Sequence, residues 1–226
     1  MYIGHFAPAF AAAAISPRAP KLATLFVAAQ LVDWAFFILV TVGIEAFRIT
    51  PGITVMSAMD LYHMPYTHSL LGSAVWAVIF GLIITAAYRD FAAGVLAAFV
   101  VISHWILDFL VHAPDLTIAG TPPKLGLGLW NYPWIEMPLE ILITVSSLAW
   151  YMRRTKGPVG PPFILITILL LFQTIDWFGP HPQTAGLQLQ LIALSSFAIA
   201  TALAWWVDDT RWHKREVGLA VPTMRR

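Results

Sequence analysis

Six stretches of about 20 mostly apolar residues divide the chain, and each is long enough for a helix to cross a bilayer core. They run over 22–44, 69–87, 91–113, 134–152, 162–178 and 187–207. A shorter apolar segment, 3–15, precedes them, and we expect it to form a partial or tucked helix. Of the 226 residues, 59% are hydrophobic and 11% are charged, against about 25% charged in soluble domains. The sequence therefore predicts an all-α, multi-pass transmembrane helical bundle of about six long spans plus a short N-terminal helix.

The chain is expected to form one transmembrane helical domain over 1–210, followed by a basic cytoplasmic tail over 211–226. No period indicates an internal repeat, and no linker is long enough to separate two soluble domains. The first residues lack the basic stretch of a secretory signal, so we expect the amino terminus to be retained. The net charge of +1 does not indicate nucleic-acid binding. The absence of cysteine excludes disulfides and thiolate metal sites.

Alternate loops differ in their content of Lys and Arg, which predicts sidedness because cytoplasmic loops are enriched in these residues. One set of loops contains Arg18, Lys21, Arg89, Arg153, Arg154 and Lys156, and the tail adds Arg211, Lys214, Arg215, Arg225 and Arg226. The other set contains only Arg48 and Lys124. This distribution predicts that the carboxyl tail lies in the cytoplasm.

Ionisable residues inside apolar spans are costly and usually functional. The spans and the N-terminal segment contain His5, Asp33, His104, Asp108, His112, Glu136, Glu140 and Asp176, and just outside them lie His63, His68 and His181. Counted from the cytoplasmic ends of the spans, Asp33 lies roughly 17 Å deep and His104 roughly 20 Å deep at the rise of a helix. We therefore expect side chains from four or five helices to meet in the extracytoplasmic half of the bilayer.

His104, Asp108 and His112 follow i, i+4, i+8 spacing, which places them on one face of a helix. Imidazole and carboxylate suit zinc. A divalent cation would also neutralise carboxylates that are unfavourable alone in hydrocarbon. This favours a metal site over the alternative, a polar network in which Asp108 holds a charged or hydrogen-bonded histidine. His112 lies near the end of its span and could instead reach the interface.

A second group of polar residues lies at the end of the longest outer connection, where Pro65 breaks any helix between His63 and His68. The two histidines could approach each other through the turn, or they could lie at headgroup level in an interfacial loop. Thr67 or Ser69 could cap the following helix or bond the second nitrogen of a histidine.

Two further pairs of ionisable residues allow both a functional and a structural interpretation. Glu140 on the fourth span could be a metal ligand or a base that activates water, whereas solvation is a sufficient explanation for Glu136 near the surface. Asp176 and His181 bracket a helix end, where a cap or loop contact is as consistent with the sequence as a site.

Four motifs occur in order along the chain: Gly4-His5, Asp33 in the next apolar segment, His63-x-x-x-Thr67-His68-Ser69 and Ser103-His104-x-x-x-Asp108. This set resembles the bacterial inner-membrane, metal-dependent hydrolase-like family whose namesake is described as LexA-binding. More remotely, it resembles the zinc-dependent phospholipase C group. The resemblance implies metal ligands at His5, Asp33, His68, His104 and Asp108, with His63 close by, and a location in the bacterial inner membrane.

The function expected from these features is metal-dependent hydrolysis of a phosphoester or ester. Zinc is the expected metal, with one ion or more, although another divalent metal would also suit these ligands. His112 joins the five ligands above, and Glu140 and His63 are the expected catalytic residues. A site in the outer leaflet favours a lipid-like substrate, so membrane lipid is the expected partner and nucleic acid is not.

Two other classes of function are open. A proton- or metal-coupled transporter would use intramembrane Asp and His residues as a relay, and a non-catalytic scaffold would retain a structural metal. The sequence shows no inverted repeat, and its intramembrane acids concentrate in one half of the bilayer. These two features favour the hydrolase over the transporter.

Overall fold

The computed structural model of the protein describes residues 1–180 and 182–214. Five of its helices are long and apolar enough to cross a membrane: α4 (Leu70–Tyr88), α5 (Phe91–Val111), α6 (Pro133–Arg154), α7 (Gly160–Phe178) and α8 (Leu187–Thr210). The pair α2 (Leu22–Ala29) and α3 (Leu31–Thr41) meets the same criterion together, with a bend of 52°. The chain is therefore a membrane protein, and the predicted all-α, multi-pass fold is confirmed.

The N-terminal segment lies in the interior of the bundle. It begins as a 3₁₀ turn, Ile3–Phe6, and continues as α1, Ala7–Ile15. The side chains of Ile3, Phe6 and Phe10 are fully buried, and the segment packs against α2, α5 and α6. The predicted tucked helix is therefore confirmed, and its enclosure by protein explains why so short an apolar helix is stable without spanning the bilayer.

The bend between α2 and α3 lies at Gln30, whose side chain is fully buried. Its Nε2 donates to the main-chain oxygen of Tyr2 at 3.2 Å, so the break packs against the N-terminal segment. The carbonyl oxygen of Ala29 at this break is 2.8 Å from Nδ1 of His104. The predicted single span 22–44 is thus two helices, and the bend brings a main-chain oxygen of the first helix against α5.

A short antiparallel hairpin forms within the region that the sequence analysis assigned to a connection. It pairs β1 (Ala46–Ile49) with β2 (Met59–His63), and Arg48 lies opposite Asp60. Phe47 and Leu61 point into the protein, whereas Arg48 and Tyr62 are exposed. We call this side of the bundle, with segments 42–69, 112–132, 179–180 and 182–186, the hairpin end. His181 lies outside the described residues.

We call the opposite end of the bundle, which contains Lys21, Arg89, Lys156 and Lys214, the basic end. There the start of the predicted tail is part of the folded domain. The strands β3 (Thr155–Lys156) and β4 (Trp212–His213) pair there. The guanidinium of Arg211 donates to the Oγ1 of Thr155 at 3.1 Å and to the carbonyl oxygen of Gly157 at 2.9 Å. The predicted tail 211–226 is therefore docked over its first four residues, and its remainder, 215–226, lies outside the described residues.

Candidate metal centre

The carboxylate of Asp108 lies at the centre of a cluster of histidines. Its Oδ2 is 3.1 Å from Nε2 of His104, one turn earlier on α5. Its Oδ1 is 3.0 Å from Nε2 of His5 and 3.4 Å from Nε2 of His112. The nitrogen of Met1 lies 3.8 Å from the same Oδ1. All three residues of the predicted α5 face therefore meet, and His5 reaches them from the N-terminal segment.

Asp33 and His68 complete the cluster from two other elements. Asp33 is in the first turn of α3, and His68 immediately precedes Ser69, the N-cap of α4. The Nε2 of His68 lies 3.3 Å from Oδ1 of Asp33 and 3.6 Å from Oδ2 of Asp108. The Nε2 of His104 is 3.5 Å from the same Oδ1 of Asp33. The structure thus brings together all six residues that the sequence analysis named as metal ligands.

The spacing of these atoms fits a small divalent cation. Ligand atoms about 2.0–2.1 Å from zinc at tetrahedral angles lie about 3.3–3.4 Å from one another. The nitrogen-to-oxygen separations of His68 and His104 from Oδ1 of Asp33 and Oδ2 of Asp108 range from 3.1 to 3.6 Å. Two groups of three could each hold an ion, His5 with His104 and Asp108, and Asp33 with His68 and His104.

The Nδ1 atoms of three of the histidines have partners of their own. Nδ1 of His104 is 2.8 Å from the Ala29 carbonyl oxygen, and Nδ1 of His112 is 2.9 Å from Oδ1 of Asp115. Nδ1 of His68 is 2.9 Å from Oγ1 of Thr67. A carbonyl oxygen only accepts, so Nδ1 of His104 must be the donor. Metal-bound histidines characteristically donate their second nitrogen in this way.

A histidine that donates from Nδ1 in its neutral form presents a bare lone pair at Nε2. In this cluster those Nε2 atoms face carboxylate oxygens, which also carry lone pairs. Within the described part of the chain, neither Nε2 of His104 nor Oδ2 of Asp108 has a hydrogen-bond partner. Two facing acceptors repel each other unless a cation lies between them, so the arrangement favours a bound metal or additional protons.

His112, just beyond the end of α5, illustrates how protons could replace the metal. Burial lowers its pKa, but the carboxylates of Asp108 and Asp115 outweigh that effect and raise the pKa to about 9. Such a histidine would be charged at neutral pH in the absence of a metal. The polar network considered from the sequence therefore has the same geometry as the metal site, and metal analysis distinguishes the two.

The cluster is largely closed off. The side chains of His5, His68, His104, Asp108 and His112 are at most 4% exposed, whereas that of Asp33 is 21% exposed. Access to the described cluster is therefore greatest on the Asp33 side. A surface cleft at the hairpin end, lined by Ile49, Thr54 and Asn131 among others, contains none of these residues.

The two residues expected to be catalytic lie outside the cluster. His63 is exposed at the end of β2, and it belongs to neither of the ligand groups found among the described residues. Glu140 is fully buried, and its Oε1 accepts from the main-chain nitrogens of Tyr2 at 2.6 Å and Gly4 at 2.9 Å. The contacts of Glu140 thus hold the segment that carries His5. Its neighbour Glu136 is also buried, unlike the solvated residue considered from the sequence.

The other pair of ionisable residues is only partly described. Asp176 is in α7, where its Oδ2 accepts from Nε2 of Gln173 at 3.3 Å. The Oε1 of the same Gln173 side chain accepts from the main-chain nitrogen of Ile3 at 3.0 Å. Asp176 therefore helps to orient a side chain that anchors the N-terminal segment.

Several supporting residues were not found from the sequence. Glu45 is 1% exposed and accepts from the hydroxyl of Thr67, and Asp115 pairs with His112. The ring of Trp130 lies 4.2 Å from that of His112. Glu45 and Asp115 lie in loops and Trp130 lies in a short 3₁₀ helix, Leu129–Asn131. No helical period therefore places them near the cluster, and only the proximity of Asp115 to His112 in the chain was a usable signal.

No protein-family model matches this chain, and no curated protein or solved structure matches it.

Proposed function

We propose that the protein is a membrane-embedded, metal-dependent hydrolase of a phosphoester or ester, with zinc as the metal. The observation that carries the proposal is the position of the Asp108 carboxylate. One of its oxygens faces His5 and His112, and the other faces His68 and His104. A carboxylate shared between two sets of ligands is suited to hold two cations close together.

The residues divide into two ligand sets around this carboxylate. Asp33, His68 and His104 make up the first, and Oδ2 of Asp108 lies 3.1 Å from Nε2 of His104 beside it. His5, His104 and Asp108 make up the second, and Nε2 of His112 lies 3.4 Å from Oδ1 of Asp108. A bound divalent metal would polarise the scissile group and lower the pKa of water toward neutrality, which is the chemistry of metal-dependent hydrolases. The protein supplies buried ligands and the acceptors that orient them.

Partial exposure of one ligand supports a catalytic rather than a purely structural site. Structural zinc sites are closed by four protein ligands, whereas catalytic sites keep a position open to substrate. The exposed fraction of the Asp33 side chain provides such an opening. Because α3 is part of an apolar, membrane-crossing pair, the opening favours a lipid-like substrate that reaches the site from the bilayer.

The charge distribution supports the orientation of this proposed enzyme. The basic end contains Lys21, Arg89, Lys156 and Lys214, and the hairpin end contains Arg48 and Lys124. By the positive-inside rule the basic end, with the carboxyl terminus, lies in the cytoplasm. The cluster, which lies toward the hairpin end, is then in the extracytoplasmic half of a bacterial inner membrane.

Elemental analysis of the purified protein in detergent tests the metal, with Asp108→Asn as the variant and Asp209→Asn as its matched control. Asp209 is an exposed acid on α8 near the basic end. We expect stoichiometric zinc in the wild type and in Asp209→Asn, and loss of it in Asp108→Asn. A wild-type protein that binds no stoichiometric transition metal would contradict the proposal.

The hydrolase assignment needs a second assay on the same preparations. Para-nitrophenyl phosphodiesters, para-nitrophenyl esters and phospholipids in mixed micelles are suitable probes. Hydrolysis that is lost in Asp108→Asn supports the proposal. Metal retained without hydrolysis of any probe would favour the scaffold, and ion or proton movement in liposomes without turnover would favour the transporter.

A further inference from the structure

The hydroxyl of Thr67 separates a buried carboxylate from one of the cluster histidines. We propose that Glu45 selects the tautomer of His68 through Thr67, and that it is thereby a positioning residue for the metal centre. This inference rests on the proposed function, since a metal is what the selected tautomer would serve. Neither Glu45 nor its loop was assigned any role from the sequence.

Glu45 reaches the start of α4 from the loop between α3 and β1. Its Oε1 accepts from the main-chain nitrogens of Tyr66 at 2.8 Å and Thr67 at 3.0 Å. Its Oε2 accepts from the hydroxyl of Thr67 at 2.7 Å. Glu45 and Thr67 are 1% and 0% exposed, so bulk water cannot readily replace these partners.

The direction of each hydrogen bond follows from the chemistry of the groups. An ionised carboxylate only accepts, so the hydroxyl proton of Thr67 points to Glu45. The oxygen of that hydroxyl is then left to accept, and its partner is Nδ1 of His68 at 2.9 Å. Nδ1 must therefore carry the proton. The lone pair at Nε2 faces Asp33 and Asp108, at 3.3 and 3.6 Å, where a cation would bind.

The other two oriented histidines do not need such a relay. The Ala29 carbonyl and the Asp115 carboxylate, which face His104 and His112, are acceptors in their own right. A hydroxyl can donate or accept, so Thr67 alone would leave the tautomer of His68 undetermined. Glu45 removes that ambiguity.

Glu45→Gln should reverse the chain of hydrogen bonds with little change in volume. The two main-chain donors at Tyr66 and Thr67 keep the amide oxygen in the Oε1 position, so the amide nitrogen faces the Thr67 hydroxyl and donates to it. The hydroxyl then donates to Nδ1 of His68, and the ring proton moves to Nε2. That nitrogen can no longer bind a metal, and we expect metal affinity to fall about 10- to 100-fold, as for other supporting residues of metal sites.

The tautomer can be read directly by ¹⁵N NMR of histidine-labelled, metal-free protein at alkaline pH, with His68→Gln to assign the signal. We expect Nδ1–H in the wild type and Nε2–H in Glu45→Gln. Asp209→Asn, which changes an exposed acid on α8 near the basic end, is the matched control and should resemble the wild type. A Glu45→Gln protein with the Nδ1–H tautomer and unchanged zinc affinity would overturn the proposal.

A second pair of variants tests the relay if Glu45→Gln fails to fold. Thr67→Ser keeps the hydroxyl and should keep the zinc affinity measured by chelator competition. Thr67→Val removes the hydroxyl and should lose affinity, and wild-type affinity in Thr67→Val would also refute the relay. The tautomer is read without metal, so a wild type that binds no zinc would refute the proposed function while leaving the tautomer test intact.

Discussion

At the scale of single residues, the two histidines of the His63–His68 motif have different surroundings. The imidazole of His68 is buried, and its ring contacts the edge of Phe36 at 5.1 Å between centroids. Its main-chain oxygen accepts from the indole nitrogen of Trp105 at 3.0 Å. His63 ends a strand and is exposed. Two histidines of one sequence motif therefore need not have the same role.

We predict that His68→Ala lowers zinc affinity by at least about 100-fold, because a direct ligand contributes more than a supporting residue. His63→Ala should leave zinc affinity unchanged. Chelator competition on the two purified variants measures both values. Loss of zinc affinity in His63→Ala would show that its side chain reaches the cluster in solution.

The residues on helices were predictable, whereas their loop partners were not. Helical spacing places His104, Asp108 and His112 on one face, and it did so correctly because α5 is helical to Val111 and His112 directly follows it. The sequence also indicated that Thr67 or Ser69 would cap a helix or bond a histidine. In the structure Ser69 caps α4 and Thr67 contacts His68. Glu45 could not be predicted, since its position depends on how a loop returns to the bundle.

At the scale of elements, the N-terminal segment and α6 form one unit of the site. Glu140 accepts from the main chain on either side of Ile3, and Thr144 donates to the oxygen of Ile3 at 3.2 Å. These bonds position His5 at the cluster. Glu140 was expected to be a ligand or general base, and the structure adds a second role, that of holding the N-terminal segment. Substitution by Ala or by Gln can distinguish the two roles.

For Glu140→Ala we predict loss of stability and of metal at the His5 side of the cluster. Two buried main-chain donors lose their acceptor, and each such loss costs about 1–3 kcal/mol. Glu140→Gln keeps an acceptor and should retain stability and metal. Thermal unfolding in detergent and elemental analysis check this pair, and an Ala variant as stable as the wild type would contradict it.

Activity of Glu140→Gln then tests the catalytic role. A general base must take up a proton, which an amide cannot do. We predict that Glu140→Gln lowers kcat by about 10²- to 10⁴-fold, the contribution typical of general-base catalysis, while zinc content is unchanged. Full activity in this variant would restrict Glu140 to holding the N-terminal segment.

The bend at Gln30 is an element-scale feature that the sequence concealed. The residues around Gln30 are apolar and good helix formers, so hydropathy predicts one continuous span. The break coincides with a tertiary contact, the hydrogen bond from Gln30 to Tyr2, which no local pattern reveals. By contrast, the long spans were predictable because bilayer thickness sets their length.

At the scale of the whole molecule, charge divides the protein into two ends. At the basic end, Arg211 donates to carbonyl oxygens of the connection between α6 and α7. At the hairpin end lie the loops that contact the cluster. The natural chain contains no cysteine, so single cysteines can report on each end without further changes. Lys124 and Lys156 are both exposed and lie at opposite ends.

We predict that Lys124→Cys reacts with a membrane-impermeant maleimide in intact bacterial spheroplasts, and that Lys156→Cys reacts only after the membrane is permeabilised. The physical reason is the excess of Lys and Arg at the basic end. Labelling is measured by the mass shift of the purified protein. The reverse pattern would place the cluster on the cytoplasmic side.

The enclosure of the N-terminal segment has a consequence for biogenesis. The bonds that hold Tyr2, Ile3 and Gly4 come from Glu140 and Gln173, 136 to 170 positions later in the chain. The ribosome therefore makes these three residues long before it makes Glu140 and Gln173. Their main-chain nitrogens lack these acceptors until α6 and α7 have entered the membrane. His5 can therefore reach its place beside Asp108 through these bonds only after α6 and α7 have been made.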